Sequence, residues 1–164
     1  MKTILTTTAF ALMASTALAD TITLYTSQPN ADAQQTVDAF KAANPDTDVE
    51  WVRDGTTKLM ARLRAEIEAG NPQPDVLLIA DTVTLEGMAQ EGLLTAYRSP
   101  EAANYDSALY SADGFYHSTK LITTGIVYNT GVETAPTSWN DLSDAALKGQ
   151  VAMPSPLYSG AALI

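Results

Sequence analysis

Three β-branched or apolar segments alternate with three helical ones in the first half of the chain, and this alternation restricts the fold more than any other feature. Residues 21–26 and 48–53 are short, rich in β-branched residues and bounded by polar turns, which is typical of strands. Residues 75–80 carry apolar side chains on both faces, as expected of a central strand in a parallel sheet. The order strand, helix, strand, helix, strand, helix predicts an α/β fold with a doubly wound parallel sheet.

The three intervening segments repeat apolar residues at helical spacing, with polar or glycine boundaries. Helix starts favour a side chain that caps free backbone N–H groups, and helix ends favour glycine. We expect side-chain caps at Asn30 or Asp32 for the first helix and at Thr82 or Thr84 for the third, with Gly70 and Gly92 ending the second and third helices.

The second half of the chain is less regular. Residues 98–119 lack periodicity and are predicted to form a loop-rich excursion, whereas residues 120–129 are β-branched and predict a long strand. Residues 137–142 open a short capped helix, and residues 150–153 predict another strand. A helical start at residues 160–164 is too short to be stable by itself, so we expect the chain to continue beyond it.

The first 19 residues have the pattern of a secretory signal peptide. Lys2 provides the positive charge, residues 4–18 are uncharged and apolar or small, and Ala17 and Ala19 form a small-x-small cleavage pattern. The alternative is an amphipathic first helix, but helical periodicity is missing there. Because the chain has no cysteine for a lipid anchor, we expect a freely diffusing exported protein.

Composition excludes several function classes. A formal net charge of −10 opposes binding to the phosphate backbone of nucleic acids and to anionic lipid. The absence of cysteine and the single His117 exclude thiol chemistry and a multi-histidine metal site, and we expect His117 on the surface. A secreted enzyme is the alternative class, but neither a catalytic triad nor a nucleophile-elbow motif is present, so we expect a protein that is not an enzyme.

Ligands of open α/β sheets bind beyond the carboxyl ends of the strands, and this rule selects candidate residues. The residues that follow the three predicted strands are Ser27 and Gln28, Gly55 and Thr56, and Asp81 and Thr82. Ser27 and Gln28 can donate hydrogen bonds to an oxyanion, or they form a capping turn. Asp81 can meet a cationic ligand and Thr82 an anion at the helix start, or Asp81 is an ordinary N-cap. Tyr25 lines the site or belongs to the core.

A turn of small residues near the end of the chain is the strongest candidate for an anion site. Tyr158, Ser159, Gly160 and Ala161 open a helix, where backbone N–H groups approach a phosphate, carboxylate or carbonate closely. The alternative is a plain helix start with Ser159 as its cap.

Six short segments occur in a characteristic order: LYTSQ at 24–28, NPQPDV at 71–76, QEGLL at 90–94, GIVYN at 125–129, PTSWNDL at 136–142 with KGQV at 148–151, and SPLYSGAA at 155–162. In this order they resemble the bacterial extracellular solute-binding proteins of ABC transporters. The resemblance is greatest to the group with two-lobed ferric-ion-binding and phosphonate- or phosphate-ester-binding members.

This resemblance implies a type II periplasmic-binding-protein-like fold, in which two α/β lobes are joined by a hinge and the ligand lies between them. It divides the chain into a signal peptide (1–19), a first lobe (20–124) and the start of an incomplete second lobe (125–164). Thr123, on the strand that crosses between the lobes, faces the cleft or is an ordinary strand residue.

The function that the resemblance implies is a periplasmic receptor that captures ferric iron or a small anionic phosphorus compound and passes it to an ABC permease in the inner membrane. We expect a monomer without a cofactor, ferric ion being only a transported ligand. A sensor or interaction module of the same fold, or a receptor for polyamine, thiamine or sugar, is the alternative. Ferric-binding relatives place a histidine where Pro29 stands, and Asp81 is the one obvious anionic oxygen ligand, so the metal ligands are unknown.

Overall fold

The predicted alternation of strands and helices is confirmed by the computed structural model, which describes residues 20–162. The expected signal peptide, residues 1–19, lies outside the described residues. The strands β1 (Asp20–Thr26), β2 (Thr47–Arg53) and β3 (Val76–Leu78) are joined by the helices α1 (Asn30–Ala43) and α2 (Thr56–Glu68), and β3 is followed by α3 (Thr82–Gln90). All strand pairs are parallel, and the order across the sheet is β2-β1-β3.

The first strand, rather than the third, lies at the centre of this sheet. β1 pairs with β2 on one side and with β3 on the other, and its residues Leu24, Tyr25 and Thr26 are buried. The expectation that residues 75–80 form the central strand is therefore wrong for the described sheet. Only β1 borders β3 among the described residues, and Val76 stays 46% exposed.

Helices on the two faces of β1 complete the core. Ala33 and Val37 of α1, Leu59 and Leu63 of α2, and Met88 of α3 are all buried. These are positions that the helical periodicity of the sequence assigns to the inner faces.

Tyr25 belongs to the core. It is fully buried, and its hydroxyl donates a 2.7 Å hydrogen bond to Oε1 of Glu66. Arg62 donates to the same oxygen from Nε at 2.7 Å and places its guanidinium 4.9 Å from the centre of the Tyr25 ring. Burial and the Glu66 hydrogen bond raise the pKa of Tyr25. This network ties α2 to the central strand.

The caps at the helix starts differ from the sequence prediction, whereas the helix ends agree with it. α1 begins after Pro29 without a side-chain cap, and α3 is capped by Asp81, which accepts a 2.7 Å hydrogen bond from the amide of Thr84. The caps expected at Asn30 or Asp32 and at Thr82 or Thr84 are therefore wrong. α2 ends at Glu68 and α3 at Gln90, and the predicted stop residues Gly70 and Gly92 follow directly after the C-caps, with φ angles of 70° and 72° that favour glycine.

The strands predicted at residues 120–129 and 150–153 are not formed. Both segments are irregular and largely exposed, with Leu121 77% and Val127 97% accessible. β-Branched composition needs a neighbouring strand to pair with, and the described residues offer none here. The predicted short helix at residues 137–142 is a 3-10 helix, Trp139–Ser143, and residues 98–119 form the expected loops with two 3-10 turns. Between residues 20 and 162 no helix combines the length and the apolar character needed to cross a membrane.

Candidate ligand-binding site

A cavity of about 510 Å³ lies at the carboxyl ends of the three strands, where the strand-end rule predicts a ligand. It is lined by the segments that follow β1, β2 and β3, by residues 116–122 and by residues 158–160. Cavities of this size accommodate small solutes.

Most of the predicted site residues line this cavity together. They are Ser27, Gln28, Asp81, Thr82, Tyr158, Ser159 and Gly160. Thr123 is exposed and is not part of the lining, because the strand expected to carry it is irregular. The side chain of Ala161 lies outside the described part of the chain. The role of these residues as ligand contacts stays a prediction.

The segment 155–160 packs against the end of β2. The Tyr158 ring covers Gly55, where an added Cβ would lie 2.6 Å from the Tyr158 carbonyl oxygen and 2.7 Å from ring atom Cε2. Arg53 donates a 3.3 Å hydrogen bond from Nη1 to the Tyr158 hydroxyl, and Lys58 Nζ lies 5.7 Å from the ring centre. Glycine at position 55 therefore permits the close approach that closes this side of the cavity.

Gly160 makes a second close approach, to α2 and α3. A Cβ built on it would lie 2.7 Å from Asp81 Oδ2 and 2.8 Å from Thr56 Oγ1. Both residues are only 3% exposed, and neither atom has a hydrogen-bond partner among the described residues. Two buried oxygen atoms without partners among the described residues thus lie close to Gly160 at the cavity wall.

The turn at residues 158–161 uses part of its hydrogen-bonding capacity internally. The amides of Tyr158 and Ser159 both donate to the Ser155 carbonyl oxygen at 3.0 Å. The helix that follows, Gly160–Ala162, is a single 3-10 turn and contributes little dipole. This turn by itself therefore contributes little to the attraction of an anion.

Two basic side chains that strand-end reasoning missed add positive charge to the cavity lining. Arg53 and Lys120 both line the cavity. Arg53 is anchored by a 3.1 Å hydrogen bond from Nε to the Gln28 carbonyl oxygen, and no described carboxylate lies within salt-bridge distance of it. Lys120 Nζ is 2.5 Å from Asp32 Oδ2. Arg53 is the last residue of a predicted strand, so the sequence carried a signal for it, whereas Lys120 reaches the cavity through an irregular segment.

His117 lies in a different environment from the surface position that its sequence context predicts. It is half-buried, lines the cavity and stacks on Tyr110 with the ring centres 6.0 Å apart. An antiparallel bridge between these two residues holds the loop against the cavity. The neighbouring Tyr116 donates a 2.8 Å hydrogen bond to Glu86 Oε2, and this bond raises the pKa of Tyr116 and lowers that of Glu86.

Within residues 20–162, no group of three or more His, Cys, Asp or Glu side chains is arranged to hold a metal ion. Asp81 is thus not part of such a group among the described residues.

The fold and this cavity define a solute-binding protein, and comparison with known proteins gives its family. Residues 25–163 match the family model of the bacterial extracellular solute-binding proteins, and the chain belongs to that family.

Three relatives are informative. The chain is 32% identical over 120 residues to a Salmonella typhimurium (strain LT2) protein named "Putative 2-aminoethylphosphonate-binding periplasmic protein", a match covering 73% of this chain and 33% of the relative. It is 28% identical over 142 residues to the "Probable ABC transporter periplasmic-binding protein y4fP" of Sinorhizobium fredii, covering 85% and 38%. The periplasmic binding protein AfuA of Actinobacillus pleuropneumoniae, solved with fructose-6-phosphate bound, superimposes with a TM-score of 0.70 and 27% identity, covering 86% of this chain and 46% of AfuA.

The structural likeness to AfuA confirms the predicted periplasmic-binding-protein fold. The chain spans less than half the length of each of these three relatives.

Proposed function

We propose that this protein is a periplasmic receptor that captures a small phosphorus oxyanion, a phosphonate or a phosphate ester, and delivers it to an ABC permease of the inner membrane. The observation that carries the proposal is the placement of Arg53 and Lys120 in one cavity of a chain whose formal net charge is −10. The relatives named for 2-aminoethylphosphonate binding and solved with fructose-6-phosphate support the same class of ligand.

Arg53 is suited to hold such an oxyanion. Its Nε is engaged with the Gln28 carbonyl oxygen and its Nη1 with the Tyr158 hydroxyl, so the guanidinium is oriented before a ligand arrives. The remaining N–H donors of a guanidinium match the oxygen geometry of a phosphonate or phosphate. Hydroxyl-bearing residues in the same lining, Ser27, Thr82 and Ser159, add further donors.

The charge of the side chains in the cavity also distinguishes between the alternative ligand classes. Arg53 has no carboxylate partner among the described residues, whereas Lys120 is paired with Asp32. The charge of Arg53 favours a ligand that carries an anionic group, which a polyamine and a bare ferric ion lack. We therefore place a phosphorus oxyanion ahead of ferric iron and polyamine as the ligand.

The expected mechanism is that of a two-lobed receptor. Ligand in the cleft stabilises the closed arrangement of the lobes, closure excludes water, and the permease recognises the closed form. The ligand shifts this equilibrium by the difference between its affinities for the two states.

Thermal unfolding of the full-length native protein tests the ligand class. The probes are 2-aminoethylphosphonate, fructose 6-phosphate, inorganic phosphate, ferric citrate and putrescine. A bound ligand at one hundred times its Kd stabilises the folded state by about 2.7 kcal/mol. Stabilisation by at least one phosphorus compound and none by putrescine is expected. Stabilisation only by ferric citrate or putrescine would contradict the proposal.

A matched pair of variants tests the role of Arg53. Arg53→Gln removes the charge and is expected to weaken binding about 10- to 150-fold, since hydrogen bonds to charged groups contribute about 1.5–3 kcal/mol. Arg98→Gln removes an exposed arginine outside the cavity lining and is expected to bind as the native protein does. Equal affinity of the two variants would remove Arg53 from the site.

Delivery to a permease is tested in cells. A strain that lacks the receptor is expected to lose growth on the bound compound as its sole phosphorus source. Normal uptake in that strain would favour the sensor alternative.

A further inference from the structure

We propose that Asp81 and Thr56 form a subsite for the ammonium group of a zwitterionic ligand, an aminoalkyl phosphonate or aminoalkyl phosphate. This inference rests on the proposed function and names the ligand class more narrowly.

The first support is the unsatisfied chemistry of the two residues. Asp81 uses Oδ1 to cap α3 by accepting from the Thr84 amide, but its Oδ2 is buried without a partner among the described residues. Thr56 Oγ1 is likewise buried without a hydrogen-bond partner among the described residues. A buried carboxylate oxygen without a donor is costly, so the folded protein favours a bound donor at this place.

The second support is the short distance between the two atoms. Both lie within 3 Å of the same point, the position of a Cβ built on Gly160. That point is only a bond length from Gly160 Cα and holds no ligand atom, but it places the two oxygens at most about 5.5 Å apart. One donor group beside Gly160 is therefore able to contact both oxygens. An ammonium group carries three N–H donors and a positive charge, so it satisfies both atoms and neutralises the carboxylate, whereas a ligand hydroxyl has a single donor.

The third support is the arrangement of charge along the cavity. Thr56 and Asp81 line the same 510 Å³ cavity as Arg53, and they also line a second cavity of about 290 Å³ that Gly160 borders as well. The wall that carries Thr56, Asp81 and Gly160 is thus reached from both cavities. With Arg53 holding the oxyanion and Asp81 the cation, the lining is complementary to a molecule with both charges.

A purely structural role of Asp81 makes a different prediction. Helix capping needs only one side-chain oxygen, and asparagine caps helices about as well as aspartate. Asp81→Asn therefore keeps the cap of α3 and removes the negative charge, which separates the two roles.

Calorimetric titration of the full-length native protein tests the subsite with three probes: 2-aminoethylphosphonate, ethylphosphonate, which lacks the ammonium group, and 2-hydroxyethylphosphonate. We expect native protein to bind the amino compound at least tenfold more tightly than either of the others. Asp81→Asn is expected to lose at least tenfold in affinity for the amino compound, with ethylphosphonate changed less than threefold. The control Asp113→Asn, at an exposed position outside the cavity, is expected to change neither affinity.

Thr56→Val provides a second test that leaves the cap of α3 untouched, and it decides the question if Asp81→Asn does not fold. It is expected to weaken binding of the amino compound about 3- to 10-fold, as for one hydrogen bond, and to spare ethylphosphonate. Preserved affinity for the amino compound in Thr56→Val would remove Thr56 from the subsite.

The outcomes distinguish this inference from the proposed function. Equal native affinity for ethylphosphonate or 2-hydroxyethylphosphonate and for the amino compound would overturn the ammonium subsite and leave the phosphorus receptor standing. Equal losses for all three probes in Asp81→Asn would also overturn it, because Asp81 would then act through the fold. Failure of every phosphorus compound to bind native protein would overturn the proposed function itself.

Discussion

Gly55→Ala is the sharpest test of how the segment 155–160 closes the cavity. The added methyl would lie 2.6 Å from the Tyr158 carbonyl oxygen and less than 3 Å from two atoms of the Tyr158 ring. The backbone at position 55, with φ −63° and ψ 148°, is acceptable for alanine. The predicted effect is therefore steric alone. A carbonyl oxygen cannot rotate away as a side chain does, so the whole segment has to move.

The free-energy cost of Gly55→Ala follows from the overlap between the added methyl and Tyr158. Ordinary contact begins near 3.4 Å, so the segment has to retreat by about 0.8 Å from the added methyl. Overpacking of this kind typically costs about 1–3 kcal/mol. A matched control is Gly87→Ala in α3, where a built Cβ meets nothing within 4 Å. Alanine lowers the entropy of the unfolded chain in both variants, so the difference between them reports the clash.

Hydrogen exchange of the full-length native protein is the assay. The amides of Tyr158 and Ser159 donate to Ser155 within the displaced segment. A cost of about 1–3 kcal/mol on the packing of this segment raises exchange there about 5- to 150-fold. Gly87→Ala is expected to exchange there as the native protein does and to be about 0.5–1 kcal/mol more stable in urea unfolding.

One result would refute the reasoning. If Gly55→Ala left both the exchange of residues 154–160 and the affinity for ligand unchanged, the segment would not pack on the end of β2 as described.

Three further predictions concern stability and charge. Glu66→Ala leaves the buried Tyr25 hydroxyl without its acceptor and should lower the free energy of unfolding in urea by about 1–3 kcal/mol. The control Glu68→Ala, at an exposed position, should change this free energy by no more than about 0.5 kcal/mol. Equal losses in the two variants would contradict the role of this network. Hydrogen bonds from neighbouring backbone amides and hydroxyls lower the pKa of Asp141 from 3.8 to about 2. A lowered folded-state pKa stabilises the fold above pH 3.8, and this contribution is lost as the pH falls toward 2. Asp141→Asn should therefore flatten this part of the curve of unfolding free energy against pH, and a curve parallel to the native one would show that Asp141 does not contribute. Ser159→Asp places a negative charge in the cavity and should weaken binding of a phosphorus oxyanion at least tenfold in calorimetry, and unchanged affinity would remove Ser159 from the ligand's surroundings.

The regular elements of residues 20–92 were predictable because their signals are local. Helical spacing of apolar residues identified α1 to α3, and Gly70 and Gly92 marked two helix ends through their left-handed backbone. The same local reasoning failed at residues 120–129. Strand propensity depends on a partner, and that segment is irregular and exposed in the described structure.

The candidate site was predictable to the extent that it follows the strands. Ser27 and Gln28 come directly after β1, and Asp81 and Thr82 follow the end of β3 within four residues. Their convergence at one edge of a parallel sheet therefore required only the topology. Lys120 and His117 reach the same cavity from an irregular segment, and nothing in the local sequence marks that path.

By itself, the sequence determined the α/β class, the order of the elements and the loops at which a ligand would bind, because periodicity and turn chemistry act over a few residues. Only the tertiary structure decided the chemistry of the cavity. It brings Arg53 to the hydroxyl of Tyr158, 105 residues away, and sets Gly160 against Thr56 and Asp81. Such long-range contacts arise from tertiary packing. They place Arg53 and the carboxylate of Asp81, which has an oxygen without a partner among the described residues, in one cavity.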